Sequence, residues 1–290
     1  MPLKAILNSL ISGIVSSIFA LGFKFFGPIL IFFSYFSPFP IFIITIYYGL
    51  FGTILSALVS VGVIILLTST SVGIIFFITN IVPSIIILID KKNTQLSYQN
   101  FISKLTLLNG LFYIAIMLLY SDKINNLIKN FNNYMQESLG KNLLIEKAIL
   151  DIAPAILISS WGLILVLNFI LARKIITKHF NNFKDKILDI ELQPWVIILF
   201  LLFLVPAALF NEENGKWFCS LALIYATPIT IQGIAVIHSI LKKRGAFLIY
   251  AFYTIVFFLP FSVPLITAVG VLDHIYSFRG FKKKINSDID

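Results

Sequence analysis

The sequence predicts an all-α protein, a bundle of helices that crosses a membrane several times, and three observations support this prediction. Hydrophobic residues make up 59% and charged residues 12% of the 290 residues, whereas soluble domains average roughly 45–50% and about 25%. The mean hydropathy is +0.96. Apolar runs also recur that approach the ~20 residues needed to cross a bilayer as a helix. These observations exclude a soluble domain, a disordered chain and a disulfide scaffold.

Eight apolar segments are predicted to span the membrane, within one integral membrane domain that covers residues 1–290. The first segment is preceded by a single basic residue and has no small-x-small cleavage site, so we expect a retained span rather than a signal peptide. The second is interrupted at 37–40, because the two prolines there disrupt helical hydrogen bonding. The eight segments are residues 6–22, 27–49, 52–68, 71–90, 103–120, 149–172, 194–211 and 217–240.

The last apolar stretch, residues 246–278, is expected to form a broken helix or a hairpin, because Pro260 and Pro264 interrupt it. A single crossing would place Arg279 and the lysines at 282–284 outside the cell. A tilted or re-entrant hairpin would return them to the cytoplasmic side, where basic residues collect. The charges favour the hairpin, and both alternatives stay open.

Basic residues between the spans predict the orientation of the chain. The segments 90–92, 173–193 and 242–244 are basic and are separated from one another by two spans each, so all three fall on one side, read as the cytoplasm. Four spans precede the first of them, which places the N-terminus in the cytoplasm as well. The segment 121–148 then lies outside the cell, where the spacing of its apolar residues predicts an amphipathic helix at the membrane interface.

The sequence contains no pattern that indicates catalysis, a metal or a cofactor. Cys219 is the single cysteine and lies in an apolar segment, where we expect a packing role. His179, His238 and His274 are too scattered to form a set of metal ligands. Neither a catalytic carboxylate pair nor a phosphate-binding loop is present, so we expect a protein that is not an enzyme and that holds no cofactor and no metal.

A sparse set of uncharged polar residues lies inside the apolar segments. Polar side chains at bilayer depth tend to face the interior of the bundle or a cavity, which predicts a small-molecule pocket lined by hydroxyls and amides. The alternative is hydrogen bonding between helices, worth about 0.6 kcal/mol on average. The candidate ligand-binding residues are Asn80, Asn109, Tyr113, Tyr225 and Gln232.

Small residues recur every four positions on two of the predicted spans. The stripe on the first span is Ala5, Ser9, Gly13 and Ser17, and the stripe on the third is Gly52, Ser56 and Ser60. Such stripes let two helices approach closely. They predict either ordinary packing within the bundle or, for Ser9, Gly13 and Ser17, a docking face for a partner membrane protein.

Several short motifs resemble the YybS-like family of predicted bacterial membrane proteins. The motifs are Pro38-Phe39-Pro40 with Tyr48-Gly49, Pro194-Trp195, the run from Gln232 to His238 before Arg244-Gly245, and the run from Gly270 to Asp273 with Arg279. That family is thought to be distantly similar to the substrate-binding S components of energy-coupling-factor transporters. The resemblance implies capture of a small solute within a helical bundle, and docking on a coupling protein through small residues of the first helix.

We therefore expect a multi-pass protein of the bacterial inner membrane that binds a small solute or helps to transport it. Without a nucleotide-binding motif, active transport would require a membrane coupling protein, a partner ATPase or an ion gradient. The alternative is a non-transporting scaffold or assembly factor, whose basic loops contact anionic lipid or a cytoplasmic partner. The lipid bilayer is a partner in both cases. Nucleic acid is a partner in neither, because the net charge of +9 reflects the orientation of the loops.

Overall fold

The computed structural model describes residues 3–27, 31–92, 96–139, 147–177, 186–210, 212–259 and 261–279, and within these ranges the regular structure is helical, without strands. Seven of the described helices are long and apolar enough to cross a membrane. They are Leu3–Phe25, Ile31–Tyr48, Leu50–Leu67, Thr70–Asp90, Tyr98–Tyr134, Ile149–Thr177 and Gly215–Lys242. The prediction of an all-α polytopic helical bundle is confirmed.

The helices are numbered α1 to α12 in chain order, and two short segments of other helix types separate some of them. A π-helix, Phe77–Ile81, joins α5 to α6, and a 3₁₀ turn, Ile187–Asp189, precedes α9. The twelve helices are α1 Leu3–Phe26, α2 Ile31–Ser34, α3 Pro38–Tyr48, α4 Leu50–Leu67, α5 Thr70–Phe76, α6 Val82–Lys92, α7 Tyr98–Leu139, α8 Lys147–Thr177, α9 Pro194–Leu209, α10 Glu212–Lys242, α11 Ala246–Phe258 and α12 Ser262–Tyr276.

The chain divides into two compact units, and each is discontinuous in sequence. Unit 1 consists of Met1–Leu105 and Gly162–Ile187, and unit 2 of Thr106–Trp161 and Leu188–Asp290. The division falls within α7 and α8, so each of these two long helices contributes one part to each unit.

In unit 1, α1 and α4 pack side by side through the two predicted stripes of small residues. A Cβ atom on Gly13 would lie 2.7 Å from the Ser56 carbonyl oxygen, and one on Gly52 would lie 3.3 Å from the Ser9 hydroxyl. The first distance is shorter than a real side chain would permit, and the second is tighter than an ordinary van der Waals contact. Small residues on both helices therefore allow the two backbones to approach each other.

The same two helices run parallel to each other. At the end of α1, the Lys24 Nζ donates a hydrogen bond of 3.0 Å to the Leu67 carbonyl oxygen, across a separation of 43 positions in the sequence. The contacts of Gly13 with Ser56 and of Gly52 with Ser9 have the same separation. A constant offset along both helices is the property of a parallel pair.

The predicted amphipathic segment continues directly from the fifth span. Helix α7 runs over 42 residues, and only Tyr120 leaves the helical region, with φ −135° and ψ 17°. Residues 121–139 are helical, while 140–146 lie outside the described residues. The position of this segment at the outer interface stays a prediction.

The predicted span at 194–211 is shorter in the structure than the other spans. Helix α9 covers 16 residues and ends at Leu209, because Phe210 is extended at φ −89° and ψ 150°. Pro206 lies within its last turn. The next helix, α10, begins with the acidic residues Glu212 and Glu213. Length alone therefore does not establish α9 as a full crossing, since about 20 residues are needed.

In unit 2, α10 is crossed by α12 at two glycines. A Cβ atom on Gly233 would overlap the Ile266 carbonyl oxygen, and one on Gly270 would overlap the Ile229 carbonyl oxygen. The predicted break within 246–278 is confirmed, since α11 ends at Phe258 and α12 begins at Ser262. Whether this stretch crosses once or forms a hairpin stays a prediction, and the lysines at 282–284 lie outside the described residues.

Candidate functional site

Unit 1 contains a groove of about 490 Å³ between α1 and α3, which we call the α1–α3 groove. Its polar lining consists of Lys4, Asn8 and Ser12 from α1 and of Tyr47 and Tyr48 from α3. The apolar lining includes Ile11, Val15, Phe19, Phe39, Ile43 and Ile44. The volume falls within the roughly 300–1,000 Å³ of small-molecule sites.

Helix spacing explains why these side chains share one groove. Lys4, Asn8 and Ser12 recur every four residues, so they lie one above another on one face of α1. On the other wall, Pro38 begins α3, as proline commonly does at the first position of a helix. Gly49 ends α3 with φ 70°, a conformation that favours glycine, and α4 begins directly after it.

Hydrogen bonding inside the groove leaves one buried hydroxyl without a partner. The Asn8 Nδ2 donates to the Tyr48 hydroxyl at 2.7 Å and ties α1 to the end of α3. Ser12 is 6% exposed, and its hydroxyl has no hydrogen-bond partner among the described residues. A buried polar atom without a partner costs free energy, and Ser12 is one of the residues that line the groove.

Asn80, a predicted ligand-binding residue, lies in the π-helix and holds the interruption between α2 and α3 in place. Its Oδ1 accepts a 2.9 Å hydrogen bond from the Ser37 hydroxyl, while the Ser37 carbonyl accepts from the Ser16 hydroxyl. Asn168 donates at 2.8 Å to the carbonyl oxygen of Tyr35, within the same interruption. Three side chains therefore satisfy polar groups where the helix is broken. A ligand role for Asn80 stays a prediction.

The other four predicted ligand residues belong to unit 2, and the structure brings two of their helices together. The Tyr225 hydroxyl of α10 lies against Gly110 of α7, where an added Cβ would be 2.7 Å away. One turn further along α7, the Tyr113 ring lies 6.1 Å from the Trp217 ring. Asn109 is half-buried beside Gly110. The predicted polar face of the fifth span is thus packed against the predicted eighth span.

Gln232 is fully buried, and both the oxygen and the nitrogen of its side-chain amide form hydrogen bonds within unit 2. Its Oε1 accepts a 2.9 Å hydrogen bond from the backbone nitrogen of Leu192, before α9. Its Nε2 donates to Asp273 Oδ2 at 3.1 Å and to the Gly270 carbonyl oxygen at 3.4 Å. This arrangement corresponds to the alternative of hydrogen bonding between helices, and the ligand role stays a prediction.

Arg279 completes this network, which we call the clasp and define as Gln232, Asp273 and Arg279. Its guanidinium donates to the carbonyl oxygens of Leu188 at 2.7 Å and Ile190 at 2.6 Å, and to Asp273 Oδ2 at 2.7 Å. The clasp connects the segment before α9 to α10 and α12. From the sequence, Asp273 was noted only as part of a family motif, and Arg279 as part of that motif and as a basic residue that indicates orientation, although a carboxylate inside an apolar run was a usable signal.

Ser9, Gly13 and Ser17, the predicted docking residues, lie on the side of α1 that packs against α4. Ser9 and Ser17 are 0% and 1% exposed, and their hydroxyls bond to carbonyl oxygens within α1. Gly13 contacts the α4 backbone directly. The geometry is that expected for packing within the bundle, and docking of a partner stays a prediction.

Two charged residues of unit 1 served in the sequence analysis only to predict the orientation of the chain, and both are buried. Asp90, 2% exposed at the end of a span, forms an ion pair with Lys104 of α7. Arg173, 1% exposed, places its guanidinium 4.1 Å from the Tyr98 ring centroid. Among the described residues, no three His, Cys, Asp or Glu side chains form a group that could hold a metal ion.

The helices, their hydropathy and the groove together define a multi-pass helical membrane protein. Residues 14–274 match the family described as "Predicted membrane protein (DUF2232)", and the chain belongs to that family. None of the curated proteins matches the chain significantly. None of the solved structures does so either. The resemblance to the YybS-like family and to S components stays a prediction.

Proposed function

We propose that this protein binds a small solute in the α1–α3 groove and helps to move it through the membrane. The observation that carries the proposal is the groove itself, a space of about 490 Å³ whose lining includes Ser12, the residue with the unpartnered, buried hydroxyl. Ligand sites combine mostly apolar walls with a few polar groups that fix orientation. The lining of the groove has this composition.

The interrupted second span supports the same proposal. The turn between α2 and α3 is followed immediately by Phe39 and Pro40, which line the groove. Transporters commonly build substrate sites from discontinuous helices, where irregular backbone lies against a cavity. The neighbouring π-helix, Phe77–Ile81, is also a type of segment found often at functional sites.

Movement of the solute would require a source of energy that the proposed site does not supply. A membrane coupling protein or a partner ATPase would meet that requirement, in line with the resemblance to S components. If docking used Ser9, Gly13 and Ser17, α4 would first have to move away, because it covers them. Docking through another face of unit 1 would not require that movement of α4.

A variant that fills the groove tests the proposal. Val15→Trp places a large side chain in the groove lining and should remove any small molecule bound there, because the ligand and the indole would occupy the same volume. The measurement is native mass spectrometry of the protein extracted in mild detergent from its own membranes. We expect a reproducible small-molecule adduct on the unmodified protein and at least a ~10-fold lower occupancy on the variant.

Ile14→Trp is the matched control, because Ile14 is the adjacent residue of α1 and is 46% exposed. It should keep the adduct. An adduct present equally on both variants, or absent from the unmodified protein, would contradict solute binding in the groove. Co-extraction with a protein unrelated to transport would instead favour the scaffold alternative.

A further inference from the structure

The lining of the α1–α3 groove changes in character along α1, from polar to apolar. Lys4, Asn8 and Ser12 occupy the N-terminal half of the lining, and Val15 and Phe19 continue it in the C-terminal half. The distance from Lys4 to Phe19 along the helix axis is roughly 22 Å, at 1.5 Å per residue. A ligand that fits both halves has a polar head and an apolar tail.

The hydrogen-bonding groups of the polar half have an excess of donors. Tyr48 accepts from Asn8, so its own hydroxyl hydrogen remains to be donated. The Ser12 hydroxyl is a second donor, buried and without a partner among the described residues. The ammonium of Lys4 contributes donors but no acceptor. These groups match a head group that accepts several hydrogen bonds.

The charge of the lining has one sign. Lys4 is the cation of the groove, and no acidic side chain is among the described residues that line it. No ion pair with a described residue occupies its ammonium group. Charge-assisted hydrogen bonds to an anion are shorter and stronger than neutral ones. The head group that best fits these donors therefore carries negative charge.

We propose that the ligand of the α1–α3 groove is an anionic amphiphile, with a phosphate or carboxylate head beside Lys4, Asn8, Ser12 and Tyr48. Its apolar tail lies along Val15, Phe19 and the facing side of α3. This inference rests on the proposed function, since it names the class of solute that the same groove takes. It places the head at the N-terminal end of α1 and the tail towards the middle of that helix.

The test uses the full chain in phosphatidylcholine nanodiscs and three probes, decyl phosphate, decanol and inorganic phosphate. Binding is measured by native mass spectrometry of the released protein over a series of probe concentrations. We expect decyl phosphate to form a one-to-one adduct, and decanol and inorganic phosphate to bind at least ~10-fold more weakly, since each lacks half of the recognised features. Binding of inorganic phosphate as tight as that of decyl phosphate would overturn the amphiphile, because the tail would then contribute nothing.

Two variants of the head-group site make the test specific. Lys4→Gln should weaken decyl phosphate binding about fivefold, the size expected for an exposed ion pair. Ser12→Ala should weaken it about tenfold while leaving thermal stability unchanged or higher, because the buried hydroxyl has no partner without a ligand. A purely structural role for Ser12 would not produce that combination.

Lys24→Gln is the matched control, because Lys24 is on the same helix and bonds to Leu67 away from the groove lining. It should leave decyl phosphate binding within twofold of the unmodified protein. Decanol bound as tightly as decyl phosphate, with no effect of Lys4→Gln, would overturn the anionic class. Solute binding in the groove would survive that result if Val15→Trp still displaced the native adduct, so the two proposals can fail separately.

Discussion

Arg279 is the residue on which the clasp of unit 2 depends most. Its side chain is 4% exposed and joins Asp273, itself 3% exposed, to two backbone carbonyls before α9. A buried carboxylate that loses its cation is left with an uncompensated charge. The clasp should therefore be sensitive to the loss of one partner and much less sensitive to the loss of both charges together.

We predict that Arg279→Ala lowers the free energy of unfolding by about 3–5 kcal/mol, the range for breaking a buried ion pair on one side. The measurement is unfolding of the purified protein by titration with sodium dodecyl sulfate. Combining it with Asp273→Asn should cost less than the sum of the two single variants, because the pair is coupled.

Arg244→Ala is the control for this prediction, because Arg244 is exposed in the turn between α10 and α11. A change within about 0.5 kcal/mol is expected there. Strict additivity of Arg279→Ala and Asp273→Asn would show that the ion pair contributes nothing to stability.

Several of the buried polar side chains were predicted by residue type, but their hydrogen-bond partners were not. Gln232 was selected as a candidate ligand-binding residue because polar side chains at bilayer depth tend to face the bundle interior or a cavity, and it is fully buried in a network. Its Oε1 accepts from the Leu192 backbone nitrogen and its Nε2 donates to Asp273, and these partners are about 40 residues away in either direction. Ser12 was not among the predicted site residues, and its position in the groove depends on where α3 lies.

Among the elements, the crossing of α10 and α12 gives the sharpest prediction. Gly233→Ala would place a Cβ into the Ile266 carbonyl oxygen, a backbone atom that cannot rotate away. We expect the free energy of unfolding to fall by about 1–3 kcal/mol, the cost of overpacking, with α10 and α12 forced apart. The free energy of unfolding is measured by the same titration with sodium dodecyl sulfate.

Gly62→Ala is the matched control, since a Cβ on Gly62 of α4 would meet no atom within 4 Å. Alanine is favoured over glycine in helices by up to ~1 kcal/mol, so this variant should be neutral or more stable. Equal effects of the two alanines would contradict a tight contact at Gly233.

Hydropathy and proline positions predicted most of the elements. Seven of the eight predicted spans appear as helices of spanning length, and the prolines marked both the interruption before α3 and the break before α12. The π-helix around Asn80 was not predicted, because its extra residue per turn leaves no local sequence signal. The π-helix was recognised only in the tertiary structure, in which the neighbouring helices pack against it.

For the whole molecule, orientation depends on whether the short helix α9 crosses the membrane. At 1.5 Å per residue its 16 residues span roughly 24 Å, against about 30 Å of hydrocarbon. Mismatch of this size can be accommodated by local thinning of the bilayer. The predicted topology requires that α9 cross.

We predict that a cysteine at Asn126 reacts with a membrane-impermeant maleimide in intact bacterial cells, and that one at Lys243 reacts only after lysis. Both positions are exposed, and Cys219→Ser supplies a background without cysteine. If α9 does not cross, α8 and α10 alone separate the two sites and both fall on the same side. Labelling at Lys243 in intact cells would then overturn the topology.

Lys186→Cys is the internal control for this labelling, because Lys186 lies between α8 and α9 and is exposed. It should be protected in intact cells whether or not α9 crosses. The orientation with the N-terminus in the cytoplasm is tested by the same set, since an inverted protein would label Lys186 and not Asn126.

The sequence by itself determined the class of the protein and the order of its helices. Both follow from local quantities, since a run of about 20 apolar residues must be helical to satisfy its backbone in lipid. The stripes of small residues also indicated that helices approach closely at Gly13 and Gly52.

Only the tertiary structure decided which surfaces meet. The α1–α3 groove, the parallel pairing of α1 with α4 and the clasp join residues far apart in the chain. Their partners are chosen by packing and by the need to pair buried polar groups. Those requirements act between helices, so they leave no periodic pattern in any one segment from which the partner could be read.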